Sequence, residues 1–314
     1  SSEASGLGNV SIIPMAISDF DGRGYLKGGD SELASLVERV DENADVETVA
    51  VTTLDAMADS MGWDGIEFVK IDVEGSEHKV VSGGMSFLRK NSPLIMFEFR
   101  SDGGTDSRTR RELESLGYRI YRILGHGEYL APAPECEELP VHDLNLFAAK
   151  NEQICQLEAA GFLADTEKEF DASDMADYVD LDSWLRSPFA RSLDISRADL
   201  SGGFQDKILL NFLVSRNHKV PASIRYGALR FAWSVSKALV SGASSPCHLL
   251  THSRLSWELG YVAETLATHR MLKEYAQADA VSGIFVPPVP RFDDIAIEPG
   301  GEAEWFSAAL GEQW

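Results

Sequence analysis

Asp72 and Glu74 stand two residues apart where the run Glu67–Glu77 changes character. Phe68, Val69, Ile71 and Val73 form a near-continuous apolar stretch, as a strand covered on both faces requires. Gly75 permits a sharp turn, and Ser76 is placed to cap a helix through Val80 and Val81. Open α/β sheets hold their ligands at the carboxyl ends of strands, so these two carboxylates mark the first place to look for chemistry. Alternation along the strand would aim Asp72 and Glu74 to one side. A carboxylate so placed can bind an amine or take a proton from a hydroxyl, the latter needing a raised pKa. The plainer alternative is that one of them caps the following helix.

Further elements must position this pair. Residues 9–19 read as a strand through Val10, Ile12, Ile13, Met15 and Ile17, ending at Ser18-Asp19, with Asp21-Gly22 as a turn. Leu33, Leu36, Val37 and Val40 have helical spacing over 31–41. Glu47–Thr53 is strand-like and leads into a short helix with Leu54, Met57, Ala58 and Met61. Pro93–Phe99 is an apolar strand in which Glu98 stands near the end. Thr109–Gly117 follows as a helix, then Tyr118–Leu124 and Leu144–Ala149 as strands, with Ala131–Pro140 as a loop. Strands alternating with helices predict a mostly parallel sheet covered on both faces.

After Lys150 helical periodicity dominates, as in Ile154, Leu157 and Ala160 and in Ile208, Leu209, Phe212 and Leu213. Trp257-Glu258-Leu259-Gly260-Tyr261 is only loosely similar to a tetratricopeptide helix, and no second copy follows at a fixed period. The stretch from Pro287 to Gly301 reads as a loop before a short segment with Trp305, Phe306 and Trp314. Two regions are therefore expected, 1–150 and 151–314.

The net charge of −22 argues against a nucleic-acid partner or an anionic membrane, both of which need clustered Lys and Arg. No apolar run approaches the ~18 residues of a membrane span. Cys136, Cys155 and Cys247 form no CxxC pair, which fits a reducing cytoplasm, with Cys155 and Cys247 packed in helices. Cys247, His248 and His252 lack a second ligand pair, so no metal site is expected.

Lys70-Ile71-Asp72-Val73-Glu74-Gly75-Ser76-Glu77, followed by Val80-Val81-Ser82-Gly83-Gly84, closely resembles the signature of the FkbM-type methyltransferases. Pro14–Gly22, Thr52-Thr53-Leu54-Asp55 and Pro93–Glu98 match in order and spacing, so the resemblance covers about Asn9 to Lys150. It implies a Rossmann-like sheet, S-adenosylmethionine as cofactor and methyl transfer to oxygen on a glycan or secondary metabolite, in a cytoplasmic bacterial enzyme. By this resemblance Asp72 and Glu74 are the candidate catalytic carboxylates, and Asp72 also the candidate for the cofactor amine. Ser18 and Asp19 would lie near the adenine, and Glu98 near the acceptor. A turn at Asp19 is the competing reading. His78 is a further candidate base, its competing reading being an ordinary surface position. His126 is a loop histidine with unknown neighbours. Lys70 would snorkel or pair with a carboxylate.

The same resemblance makes residues 9–19 the third strand and the Asp72 strand the fourth. The chain is thus expected to hold a partial Rossmann-like sheet, third strand onward, with a mainly α-helical region after it. The glycine-rich cofactor loop and the first two strands would be missing, exposing a long apolar edge. Gly6-Leu7-Gly8 precedes a strand rather than following one. Gly22–Gly28 does follow a strand, with Asp41 or Glu42 further on, but Tyr25-Leu26 reads as a returning strand and the helix begins too late for a dinucleotide. An NAD(P) oxidoreductase is accordingly the weakest reading, behind a non-catalytic binding or scaffold protein that keeps part of the methyltransferase fold. The helical region would recognise the acceptor or a protein partner.

Overall fold

The computed structural model describes residues 8–27, 35–37, 46–99, 105–124, 129–134, 145–166, 170–171, 178–197, 200, 202–242, 245–275 and 283–312. The chain forms two compact units, Ser1–Arg122 with Ala133–Gln156, and Ile123–Pro132 with Leu157–Trp314. No described helix is long and apolar enough to cross a membrane.

The first unit contains a sheet of β1 (Ala16–Ser18), β2 (Gly22–Lys27), β3 (Ser35–Val37) and β4 (Val46–Thr53), in the order β1-β4-β2-β3. β1 runs parallel to β4, while β2 is antiparallel to both β4 and β3. Strand β1 is shorter than expected, and Val10, Ile12 and Met15 before it are exposed. The helix expected over 31–41 is corrected where it is described: Leu36 and Val37 are strand, paired with Leu26 and Tyr25. Cross-strand partners decide there, because a few apolar residues satisfy either period.

At the end of β4, Thr53 caps α1 (Leu54–Met61) by accepting from the Ala56 amide at 3.1 Å. Asp21 accepts from the Thr52 hydroxyl at 2.7 Å and the Thr53 amide at 3.3 Å, fastening the turn after β1 to the end of β4. The chain continues through β5 (Phe68–Ile71), α2 (Glu77–Ser82), α3 (Met85–Asn91), β6 (Leu94–Glu98), α4 (Thr105–Ser115), β7 (Arg119–Leu124), β8 (Tyr129–Pro132) and β9 (Asn145–Ala149).

Within this unit the second sheet runs β5-β6-β9-β7. β5 and β6 are parallel, and β9 inserts antiparallel between β6 and β7. The expectation of a mostly parallel sheet is therefore corrected. Strands β5, β6 and β7 share a direction, but the last strand in sequence separates two of them. The Rossmann-like arrangement expected from the resemblance is seen only as a mixed α/β layout with two sheets.

The core lies under β6, where Ile95 and Phe97 are fully buried together with Val81, Leu88, Leu113, Leu146 and Ala148. Each such side chain contributes about 1.5–3 kcal/mol by leaving water. β5 differs from its expected burial on both faces. It pairs on one side only among the described residues, and Phe68 is 51% exposed there. An apolar edge was expected at this strand, and Phe68 is the exposed apolar residue on it.

The second unit is mainly helical: α6 (Leu181–Arg186), α7 (Pro188–Ser192), α8 (Phe204–Ser215), α9 (Ala222–Gly242), α10 (Pro246–Glu258), α11 (Val262–Tyr275) and α12 (Glu302–Gly311). Before α6, α5 (Asn151–Ala159) spans the boundary between the units in sequence. Ile208, Leu209, Phe212 and Leu213 are buried on α8, as their spacing predicts. The stretch expected to be a loop after Pro287 holds a 3-10 turn at Pro290–Asp294, whose Phe292 packs edge-on against Trp305 of α12 at 5.3 Å between centroids. Trp305 also stacks on Phe189, so this tail belongs to a core. Residues 129–132, expected in part as loop, are strand β8. Cys247 is buried in α10 as expected, whereas Cys155 on α5 is exposed. His126, Cys136, Gly28, Asp41, Glu42 and Trp314 lie outside the described residues.

Candidate active site

β5 stops at Ile71, which pairs in register with Phe97 of β6. The next residue on each strand is a carboxylate, so Asp72 and Glu98 emerge side by side at the same sheet edge. Glu74 reaches them by a different route from the one its spacing suggests. Strand alternation has already ended, and the backbone instead turns through two left-handed residues, Glu74 at φ 51° and Gly75 at φ 85°. Oxygens of Asp72, Glu74 and Glu98 consequently lie within 4.8 Å of one another. The left-handed region costs a non-glycine residue roughly 1–2 kcal/mol, and such strain gathers at functional sites.

Lys70 shares a strand face with Asp72, and its ammonium lies 2.6 Å from the Asp72 carboxylate. Both side chains are about half exposed, so the pair adds little stability, roughly 0–1 kcal/mol. Its consequence is local: it sets an ammonium against Asp72 of the acidic cluster.

The turn into α2 is held by Glu77. Its carboxylate accepts from the Gly75 amide at 3.1 Å and the Val73 amide at 3.4 Å, and the residue is 1% exposed. Ser76 occupies the N-cap position but makes no capping bond through its side chain. Nothing in the sequence marks Glu77 for this task, since an acid in a first helical turn is ordinary.

Ser18 and Asp19 lie at the end of β1, in the other sheet. Ser18 is 1% exposed and its hydroxyl donates to Asp19 at 3.2 Å, while Asp19 itself is exposed. Asp19 is not a member of the three-carboxylate cluster. His78 on α2 is half-buried, and its Nδ1 is shielded from solvent with no hydrogen-bond partner among the described residues. Burial, then the Arg108 guanidinium, pushes its pKa below the usual imidazole value, while Glu112 and Asp19 pull the other way. Burial and the Arg108 charge both favour the neutral imidazole.

His248 and His252, excluded above as ligands, have other partners. His248 Nε2 meets the Gln205 side chain at 3.0 Å, and His252 sits between Ser236 at 2.8 Å and Glu264 at 3.3 Å.

The remaining signature residues hold the scaffold. Asp55 accepts from the Ser86 and Phe87 amides at 3.0 and 2.7 Å, which caps α3 from a distant element, and its own amide donates to Gly83 at 2.9 Å. Asp55→Ala should therefore cost about 1–2 kcal/mol, as lost caps do. Urea unfolding would measure it, and Asp55→Asn should recover part by keeping one acceptor.

This is a mixed α/β unit with an acidic cluster at the ends of two parallel strands. The family model for the methyltransferase FkbM domain matches residues 5–120, just over a third of the chain and the stretch that contains the cluster. No curated protein and no solved structure shows significant similarity to the chain.

Proposed function

We propose that this chain is an S-adenosylmethionine-dependent methyltransferase that methylates a hydroxyl oxygen on a glycan or a secondary metabolite. The observation that carries the reading is the meeting of Asp72, Glu74 and Glu98 at the strand ends, inside the segment matching the methyltransferase model. The cofactor fits this donor set. Three carboxylates offer acceptors to the cofactor's ammonium, sulfonium and ribose hydroxyls, while its own carboxylate would turn to the Lys70 ammonium beside Asp72.

Asp72 would hold the ammonium, and Asp19 the adenine amino group. Once bound, the cofactor supplies the electrophilic methyl group. Glu98 would orient the acceptor hydroxyl, and Glu74 would take its proton. The second unit would recognise the acceptor or a protein partner. The acidic surface disfavours a nucleic-acid acceptor.

Calorimetric titration with S-adenosylhomocysteine tests the proposal. Saturable one-to-one binding is expected, weakened about tenfold or more by Asp72→Asn, in line with the loss of a charge-assisted hydrogen bond. A folded chain that binds no S-adenosylhomocysteine would favour the non-catalytic scaffold. Binding indifferent to both Asp72→Asn and Glu74→Gln would move the cofactor off the cluster.

A further inference from the structure

The second unit holds a cavity of about 510 Å³, within the size range of small-molecule sites. Trp184 and Phe212 give it an apolar lining. Its charged lining includes Arg216 at the end of α8 and Asp180 at the start of α6. His218 and Lys219 come from the turn joining α8 to α9, and Asp293 and Asp294 from the 3-10 turn at Pro290–Asp294.

Asp293 is fixed in place by Arg254, whose two terminal nitrogens each meet one of its oxygens at 2.9 Å. Arg254 is itself fully buried, also bonded to Glu258 and to the Pro287 carbonyl. Asp294, beside this anchored acid, has no ion-pair partner among the described residues, and the same is true of Lys219. Opposite charges that line one cavity yet do not pair with each other leave two poles for a ligand to answer.

The charge of the whole molecule narrows the choice. At −22 the chain repels a simple anion, and a simple cation would leave Lys219 unanswered. A molecule with both charges and no net charge avoids both costs. We propose that this cavity binds a small zwitterion, with an ammonium directed to Asp293 and Asp294 and a carboxylate to Lys219, on an apolar or aromatic body seated against Trp184 and Phe212. The site needs nothing from the strand-end cluster, and its test does not involve S-adenosylmethionine.

The full chain would be titrated calorimetrically with L-phenylalanine, with 2-phenylethylamine and 3-phenylpropionate as its two half-charged counterparts, and with methyl glucoside as a neutral polyol. L-Phenylalanine should saturate one site, and each half-charged compound should bind about tenfold or more weakly. Lys219→Gln should erase the advantage over 2-phenylethylamine, and Asp294→Asn the advantage over 3-phenylpropionate. Both residues are exposed, so the variants should keep the parent melting temperature. The proposal is overturned if L-phenylalanine does not saturate, if a half-charged compound or methyl glucoside binds as tightly, or if both folded variants leave its affinity unchanged.

Discussion

Gly83→Ala is expected to destabilise the first unit by about 3 kcal/mol or more, at the upper end of what overpacking costs. Gly83 ends α2 in an ordinary helical conformation, φ −76°, so backbone freedom is not the reason for glycine. The reason is close approach. A Cβ there would stand 2.1 Å from the Ser18 carbonyl oxygen and 3.2 Å from the Asp19 Cα. Both are backbone atoms and cannot rotate away. Gly84→Ala is the informative comparison, because its Cβ would meet the Leu54 Cδ2 at 2.7 Å and the Val80 carbonyl at 3.1 Å. The leucine terminus can swing aside, so the cost should be smaller, about 1–2 kcal/mol. Urea unfolding of the two variants measures both. A Gly83→Ala protein as stable as the parent would mean that α2 does not pack on the end of β1 as described.

Arg254→Met should cost about 3–5 kcal/mol, the usual result of removing one partner from a buried ion pair. Its guanidinium is enclosed by Glu258, itself 1% exposed, by Asp293 and by the face of Phe212 at 5.3 Å. Burial already raises the Asp293 pKa despite the opposing pull of Arg254. Without the guanidinium, that carboxylate rises further above its unfolded value. A raised folded pKa gives stability that is present at low pH and lost as pH rises. The deficit should therefore be larger at pH 8 than at pH 5, measured as the melting-temperature gap to the parent. Arg254→Lys should fall between, since an ammonium keeps the charge but not the two-pronged contact. An equal deficit at both pH values would show that lost packing, rather than stranded carboxylates, sets the cost.

Much of the first unit was legible in the sequence because its elements are short and strongly marked. Glu47–Thr53 is rich in strand-forming Val and Thr and ends at a capping Thr53, and both the strand and the following helix stand where expected. The apolar run at Pro93–Phe99 is an interior strand, fully buried at Ile95 and Phe97. The spacing of Leu33, Leu36, Val37 and Val40 predicts a helix where Leu36 and Val37 are strand, since three strand residues carry no local signal of their cross-strand partners. Sheet direction was also hidden. β9 reaches its place between β6 and β7 by long-range pairing, and no residue of Asn145–Ala149 records which neighbours it will have.

The candidate site divides in the same way. Asp72 and Glu98 could be read directly, as acids where apolar strands end. Glu74 was placed beside Asp72 for the wrong reason, because a left-handed turn at a glutamate follows no propensity. Glu77, Asp55 and Asp21 act on amides or hydroxyls that their own spacing does not reveal, up to 32 residues away for Asp55 and Asp21.

By itself, then, the sequence determined the reaction family to test, the strands that end on carboxylates, and the change to helices after Lys150. Those are local properties, set by residue type, period and turn chemistry over a few positions. Tertiary structure alone decided that three carboxylates meet within 4.8 Å, that Gly83 must lack a side chain, and that Lys219 and Asp294 line one cavity. Each of these is a distance between segments far apart in the chain, and such distances are fixed only when the core packs and long-range pairing chooses the register.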